Sequence, residues 1–279
     1  MRVEVPVPPP GIRLVRSAEE EGARWLTELD DGAAATYAAC VAPIVPVVEA
    51  ALSPAVVANR VAAICTHPPR VYLEPWRSAR QRFERLGAWQ AALSHALVMT
   101  DVVACYPSIH PEIVSSTLQT LGAEAAAAAR VGEILRVFTV AGVRGLPIGP
   151  EPSAVLANAV LSVGDRGLAE SGFRHLRWVD DFVVFVDEPA DAPRALAVLE
   201  GALSSVGLEL AEGKTRVVLD PAGIDGIARD GFLSGPPATA RLRCDADALP
   251  SLARGHALVP VDGGVGARGR PARGARRSG

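Results

Sequence analysis

The sequence lacks the features that most often identify a function at first sight. None of its four cysteines lies at metal-ligand spacing from another, and the five histidines are scattered, so neither residue type predicts a metal site. The N-terminus has no apolar signal segment, and the longest apolar region, residues 37–65, is interrupted by Pro43, Glu49 and Pro54. We therefore expect a cytoplasmic protein with reduced thiols and no membrane span.

The chain also lacks an excess of basic charge. Its net charge of −3 over 279 residues does not suit a uniformly basic nucleic-acid coat. Its hydrophobic fraction of 49% supports a sizeable core and excludes a wholly disordered chain. Lys214 is the only lysine among many arginines. Because lysine can release a proton near neutral pH and arginine cannot, Lys214 is a candidate for chemistry.

The order of predicted elements is that of an α+β fold with an antiparallel sheet. A strand over 96–100 leads into Asp101, and apolar residues on both sides of an Asp-Asp turn predict a hairpin over 174–187. Helices broken by prolines are predicted over 17–65, and a strand pair over 207–219. Further helices are expected at residues 75–95, 111–121, 124–140, 153–161 and 191–206.

Three acidic residues carry the strongest chemical signal. Asp180 and Asp181 are adjacent, and like charges a few ångströms apart repel unless a cation lies between them. Aspartate also favours turns, so the pair alone could be purely structural. If neighbouring antiparallel strands bring Asp101 to the pair, the three carboxylates form an oxygen site suited to two Mg²⁺ ions, with Mn²⁺ as an alternative.

Four segments resemble the motifs of reverse transcriptases, in the order in which that family carries them. Asp101-Val-Val-Ala-Cys-Tyr106 is similar to motif A, and the segment from Gly145 to Asn158 is similar to motif B. Trp178-Val-Asp-Asp resembles motif C, and Gly207-Leu-Glu-Leu with Lys214 resembles motif D. The resemblance covers about residues 55–220. The sequence of the motif B segment is closer to that of bacterial abortive-infection and defence-associated enzymes than to that of intron or retroviral enzymes.

The resemblance implies a fold and a division of the chain. It implies a right-hand polymerase palm, an antiparallel sheet with packed helices, with reduced fingers and no complete thumb. Residues 1–54 would be a helical N-terminal extension, 55–245 the fingers and palm, and 246–279 a Gly/Arg-rich tail that we expect to be disordered. That tail would bind RNA through phosphate contacts or merely aid solubility.

The resemblance also implies roles for individual residues. Asp101, Asp180 and Asp181 would bind the metal ions, and Lys214 would act on the leaving pyrophosphate. Tyr106 would exclude a ribose 2′-hydroxyl, Gly149 would approach the incoming base pair, and Ser153 would cap the following helix. Arg60 and Arg70 would hold the triphosphate through bidentate contacts. The alternatives are a core aromatic at Tyr106, an exposed hairpin lysine at Lys214, and solvated arginines at the other two positions.

The activity implied is RNA-directed DNA polymerisation in antiviral defence, from an RNA template and deoxynucleoside triphosphates to a DNA product. Two alternatives remain open at this point. One is a template-independent or protein-primed DNA polymerase on the same palm, and the other is a catalytically silent RNA-binding scaffold. A protein partner, a structured RNA or a homo-oligomer would replace the missing thumb.

Overall fold

A four-stranded antiparallel sheet forms the centre of the computed structural model, which describes residues 11–17 and 24–233 and the backbone of residues 258–260. The strands lie in the order β6-β7-β5-β8. Their bounds are β5 Ala96–Thr100, β6 Arg174–Trp178, β7 Asp181–Val186 and β8 Arg216–Val218. The two central strands, β5 and β7, are apolar along nearly their whole length because helices cover both faces of the sheet.

The helices within the described part of the chain form two layers. In chain order they are α1 Asp31–Val41, α2 Val45–Ala51, α3 Trp76–Ala91, α4 Cys105–Ser108, α5 Pro111–Thr120, α6 Ala125–Val140, α7 Glu151–Glu170, α8 Ala192–Ser204 and α9 Pro221–Asp230. Val98 of β5 joins a cluster with residues of α7 and α8. Its neighbour Leu97 faces the other way and joins a cluster with α3 and α9. This alternation fixes the register of the sheet, because a shift by one residue would exchange the two faces.

Two smaller sheets flank the central one. Strands β1 Ile12–Arg16 and β2 Trp25–Leu29 form an antiparallel pair. Strand β3 Val61–Thr66 pairs with β4 Pro69–Leu73 and with β9 Leu258–Pro260. By length and composition alone, the continuous helical segment Asp31–Ala51 is apolar enough to cross a membrane. Its Tyr37, Val41 and Val45 are fully buried in the main core, and 33% of its apolar stretch is buried.

Much of the predicted element order is confirmed. The strand over 96–100, the hairpin, and the helices near 111–121, 124–140 and 191–206 lie where the sequence indicated. The α+β class with an antiparallel sheet is likewise confirmed.

Several elements differ from the prediction. The helical prediction over 17–65 is wrong for 25–29 and 61–66, which are strands, because cross-strand partners decide their conformation. In the segment 207–219 only Arg216–Val218 is a strand, paired with β5, and Glu212–Lys214 is a 3₁₀ turn. Residues 258–260 form a strand where we expected disorder, and the rest of the Gly/Arg tail lies outside the described residues.

Candidate active site

The register of the central sheet brings the three aspartates to one end. In the β5–β7 pair Thr100 lies opposite Phe182. Asp101 comes directly after Thr100 and Asp181 directly before Phe182, so both aspartates lie at this end of the sheet. Asp180 lies in the two-residue turn that joins β6 to β7. Residues opposite one another on adjacent antiparallel strands have side chains about 5 Å apart. The register of the strands therefore brings the three aspartates to the same end of the sheet.

The electrostatics of these carboxyls show that they share one field. Burial, reinforced by the charges of Asp101 and Asp181, raises the pKa of Asp180 to about 7. Burial and the charge of Asp101 raise the pKa of Asp181 to about 6, while the cation of Lys214 opposes the rise. The crowding is costly to the free protein, since ionised carboxylates repel one another where little water screens them.

The lysine of the chain is held at the same site. The amide of Ala211 donates to the Asp101 carbonyl at 2.8 Å, and the hydroxyls of Thr100 and Thr215 are 2.7 Å apart. These bonds fix the turn that carries Lys214, whose Nζ pairs with Asp101 Oδ2. This hydrogen bond raises the pKa of Lys214, so the side chain stays cationic.

The donor set fits a hard divalent cation. Asp101 Oδ1 is buried and has no hydrogen-bond partner, which is the state of an oxygen that awaits a ligand. Among the described residues no three His, Cys, Asp or Glu side chains form a ready-made metal cluster, so the expected three-carboxylate cage is not pre-assembled. Mg²⁺ usually binds through one or two carboxylates together with substrate phosphates and waters, which this arrangement allows.

A cleft of about 1140 Å³ opens over the carboxylates. Its lining includes Tyr106 and Lys214 and four arginines, at positions 24, 80, 144 and 216. Of these, only Arg80 lies on α3, within the helix predicted over 75–95. The other three come from separate loops and strands, so no local pattern points to them. The cleft thus combines an acidic floor with a basic rim.

The two arginines predicted to hold a triphosphate lie elsewhere. Arg60 Nε is 2.7 Å from Glu49 Oε2, and Arg70 lies on the surface 3.6 Å from Asp31. Neither lines the carboxylate cleft. A local acidic partner, which sequence spacing did not reveal, engages each guanidinium. The arginines of the cleft rim are better placed for that role.

Tyr106 is half-buried on α4 and lines the cleft, and its contact with the sugar stays a prediction. Its carbonyl accepts a hydrogen bond from the Leu146 amide at 2.8 Å. Gly145 has φ +61°, and a Cβ there would lie 2.3 Å from the Tyr106 carbonyl oxygen. Only glycine permits this approach. Gly145, not singled out from the sequence, thus holds Tyr106 in place.

The other two motif B residues act at a distance from the cleft. Gly149 has φ +126° and approaches the Thr27 carbonyl of β2, not the cleft. The prediction that Ser153 caps a helix is wrong, because α7 begins at Glu151 with Pro150 as its N-cap residue. Ser153 is fully buried and its hydroxyl lies 3.0 Å from the Tyr37 hydroxyl. It fastens α7 to α1.

A buried charge network, which sequence reasoning missed, lies behind the Asp180 turn. Arg177 is 0% exposed and contacts both oxygens of Asp165, with Nη2 2.8 Å from Oδ2. Its Nη1 donates to Asn158 Oδ1 at 2.9 Å, and His175 Nε2 lies 3.2 Å from Asp165 Oδ1. Burial raises the pKa of Asp165, but Arg177 and His175 outweigh it and the net shift is downward.

This network reaches the Val179–Asp180 turn directly. Arg177 Nη1 also donates to the Val179 carbonyl at 2.7 Å. Val179 has φ +55°, a left-handed conformation that is strained for a β-branched residue. Arg177 therefore stabilises the unusual backbone that presents Asp180 to the cleft.

Comparison with known proteins gives one family match. The family model described as "Reverse transcriptase (RNA-dependent DNA polymerase)" matches residues 51–243, more than half of the chain and all of the carboxylate site. A search of the curated proteins found no match. Among solved structures the chain is similar to telomerase from Candida albicans in complex with a TWJ fragment of telomeric RNA, at 17% identity and a TM-score of 0.38. The alignment covers 50% of this chain and 30% of that one.

Proposed function

Because this chain belongs to the reverse transcriptase (RNA-dependent DNA polymerase) family, we propose that its carboxylate cleft extends a DNA strand on an RNA template. The family consists of nucleotidyltransferases, as the motif order indicated. The observation that carries the proposal is the convergence of Asp101, Asp180 and Asp181 in one electrostatic field beside Lys214.

The carboxylates of Asp101, Asp180 and Asp181 would hold Mg²⁺ or Mn²⁺. Two such ions would stabilise the attacking and leaving oxygens of the nucleotidyl transfer. Asp101 Oδ1, buried and without a partner, is the first candidate ligand. Binding of cations would also relieve the repulsion that helps to raise the pKa values of Asp180 and Asp181. Metal ions and substrate would therefore bind where the carboxylates of the free protein repel one another.

Lys214 is suited to the departing pyrophosphate. Its side chain is 64% exposed, while its Asp101 partner is only 12% exposed, so the ammonium group reaches from the cleft floor toward solvent. A cation there would neutralise charge that develops on the leaving group. Tyr106, held against Gly145, would lie under the sugar and select deoxynucleotides.

Several finer expectations stay predictions. The reduced fingers, the missing thumb and its replacement by a partner, a structured RNA or a second copy depend on the resemblance alone. The antiviral role depends on the sequence of motif B. It is inferred by analogy with other proteins of the same fold. Cytoplasmic location is an expectation from the sequence alone.

The proposal is tested by primer extension with purified protein, Mg²⁺ and all four deoxynucleotides, with and without an RNA template. Product that appears only with template, and whose sequence is complementary to it, supports the proposal. Template-independent product would favour the alternative polymerase, and tight RNA binding without product would favour a scaffold.

The matched variants are Asp180→Asn and Asp225→Asn. The first removes a metal-ligand charge, and we expect incorporation to fall by about a thousandfold or more, since catalysis depends on metal-ion charge stabilisation. The second changes an exposed aspartate on α9 outside the cleft lining and should leave the rate unchanged. Equal rates in the parent and Asp180→Asn would refute the metal assignment.

A further inference from the structure

We propose that the β1–β2 hairpin is a contact surface for single-stranded RNA at the mouth of the cleft, with Trp25 stacking on an unpaired base and Arg24 and Arg144 holding phosphates. The inference depends on the proposed function in one respect, because it takes the occupant of the cleft to be nucleic acid. No motif of the sequence assigns a role to this hairpin.

Trp25 is the first observation. Its side chain is 62% exposed, although it lines the carboxylate cleft, whereas Trp178 on the cleft's inner wall is 3% exposed. A large indole left in water forfeits about 2 kcal/mol or more of burial energy, unless a ligand covers it. An exposed indole beside a catalytic cleft is thus a surface that a ligand can bury.

Backbone hydrogen bonds fix the position of Trp25 at the cleft. Trp25 pairs with Arg16 in the β1–β2 register, and the Ser17 amide donates to the Arg24 carbonyl at 2.8 Å. Farther along the strand, the Thr27 amide donates to the Ile148 carbonyl at 2.8 Å, which ties the strand to the loop before α7. Because this backbone is already ordered, only the indole side chain loses freedom when a base stacks on it.

Charge is the second observation, and it is independent of the first. Arg24 and Arg144 are both exposed and both line the cleft, and neither forms an ion pair with a described residue. The charge of Arg24 nevertheless reaches the catalytic end, where it opposes the rise in pKa that burial causes in Asp180 and Asp181. Two exposed guanidinium groups, neither of them in an ion pair with a described residue, lie beside an exposed indole, and this combination favours a polyanion.

The chemistry favours one polyanion in particular. A guanidinium that pairs with phosphate next to an aromatic ring that stacks on a base is the usual combination in single-strand binding. A duplex would keep its bases stacked inside and would not offer a face to Trp25. The occupant is therefore an unpaired strand, which in a cleft that copies RNA is the template ahead of the growing product.

The binding test uses fluorescence anisotropy of a short, unstructured, fluorescein-labelled RNA, in the absence of divalent ions and nucleotides. Trp25→Ala should weaken binding about fivefold or more, because stacking contributes about 1–3 kcal/mol per base. The matched control is Trp89→Ala, since Trp89 is 59% exposed but lies outside the cleft lining. That control should bind as the parent does.

The arginines are tested by salt dependence. Arg144→Gln should lower the slope of log affinity against log salt by about 0.7, the value for one phosphate contact on a single strand. The control is Arg130→Gln, on the exposed side of α6 and outside the cleft lining, which should leave the slope unchanged. Equal slopes in the two variants would remove the phosphate contact from the proposal.

Intrinsic fluorescence gives a direct signature that a folding defect would not produce. RNA should quench part of the tryptophan emission of the parent and of Trp89→Phe, but not of Trp25→Phe. Trp25→Phe keeps an aromatic plane and should retain most of the affinity. Undiminished quenching in Trp25→Phe, or equal affinity in Trp25→Ala and Trp89→Ala, would overturn the inference.

A change in oligomeric state of Trp25→Ala without a change in RNA affinity would also overturn it, since the indole would then cover a second copy. The outcome is separable from that of the proposed function. A parent protein that binds RNA through Trp25 but makes no DNA would refute polymerisation and leave the hairpin contact standing. If the parent is an active polymerase and Trp25→Ala binds RNA normally, the hairpin contact is refuted and polymerisation stands.

Discussion

The two sides of the Val179–Asp180 turn contain the same kinds of charged groups in opposite states. Behind the turn, Asp165 and Arg177 are completely buried, and each oxygen of the carboxylate has a guanidinium or imidazole partner. In front of the turn, Asp180 and Asp181 face Asp101, and Asp101 Oδ1 has no partner. Buried charges are tolerated only when paired, so the charges behind the turn are balanced within the free protein, whereas those in front of it are balanced only in part, by Lys214.

The contrast shows in the direction of the pKa shifts. Burial raises the pKa of Asp165, Asp180 and Asp181 alike. At Asp165 the neighbouring Arg177 reverses the shift, while at Asp180 the neighbouring carboxyls enlarge it. The sign of the local charge, not the extent of burial, therefore distinguishes the paired carboxylate of Asp165 from those proposed to bind metal ions.

The largest expected effect on stability comes from removing the buried ion pair behind the turn. Arg177→Met leaves Asp165 buried without its cation, and we expect the free energy of unfolding to fall by about 3–5 kcal/mol. Urea denaturation followed by circular dichroism measures it. The matched control is Arg194→Met, because Arg194 also pairs with an aspartate (Asp191) and covers a phenylalanine ring, but on the surface.

That control should cost no more than about 1 kcal/mol. The double variant Arg177→Met with Asp165→Leu should recover much of the loss, because it removes the orphaned charge together with its partner. A loss in the Arg177 variant no larger than that in the Arg194 variant would contradict the contrast between front and rear.

Removing a carboxylate in front of the turn should raise the free energy of unfolding, in contrast to the change behind it. The folded-state pKa of Asp180, about 7, is above its unfolded value of 3.8, so the folded protein binds more protons and its stability falls as pH rises between these values. In EDTA, Asp180→Asn should therefore be more stable than the parent above about pH 7, by on the order of 2–4 kcal/mol. Below about pH 4 the difference should vanish.

Thermal denaturation across this pH range measures the effect, and Asp165→Asn is the matched comparison. Asp165 has a lowered pKa, so its contribution is present above the unfolded pKa and is lost as pH falls. Asp165→Asn should thus destabilise the protein at neutral pH. A difference between Asp180→Asn and the parent that does not change with pH would refute the crowding of carboxylates.

The front of the turn could be predicted from the sequence far better than the rear. Asp101 follows a short apolar strand, and Asp180 and Asp181 lie in a hairpin turn, so pairing of adjacent strands was enough to bring them together. The lone Lys214 was visible by composition. Each of these signals is local, and the family motifs supplied their order.

The rear and the rim depend on tertiary partners that no local pattern reveals. Asn158 and Asp165 lie seven residues apart, two turns along one face of α7, and Arg177 lies on β6 between the apolar residues Leu176 and Trp178. Together these signals could have indicated a buried cation, but only the packing of α7 on β6 joins them. Arg24 reaches the cleft because the β1–β2 hairpin bonds to Ile148, which depends on long-range pairing. Arg60 was misjudged because Glu49, an unforeseen neighbour, holds it.

Substrate choice gives a smaller way to sharpen the comparison. Tyr106 lies in front of the turn, half-buried over the cleft, so its ring can discriminate between sugars without bearing on the rear network. Tyr106→Ala should raise incorporation of ribonucleotides relative to deoxynucleotides by about tenfold, because about 1.4 kcal/mol of steric discrimination is lost. Single-nucleotide extension with each sugar measures the ratio.

The control for this variant is Tyr72→Ala, since Tyr72 is a half-buried tyrosine of β4 outside the cleft lining. Its sugar preference should match that of the parent. An unchanged ratio in Tyr106→Ala would show that this ring does not select the sugar.

The smallest expected effect couples the two sides. Asn158 accepts a hydrogen bond from Arg177 and donates to the carbonyls of Ala58 and Asn59. Asn158→Ala removes these bonds but keeps the Arg177–Asp165 pair, so stability should fall by only about 1–2 kcal/mol. Because Arg177 would hold the Val179 carbonyl less firmly, the Mg²⁺ concentration needed for half-maximal extension should rise about threefold to tenfold, a typical effect of a supporting partner.

A variant of equal stability separates this coupling from general loosening. Leu199→Val shortens a fully buried side chain of α8 in the main core and should cost about 1 kcal/mol. It should leave the Mg²⁺ requirement unchanged, and calorimetric titration with Mn²⁺ should show the same contrast without catalysis. If both variants shift the requirement equally, the turn responds to stability alone and Arg177 has no positioning role at Asp180.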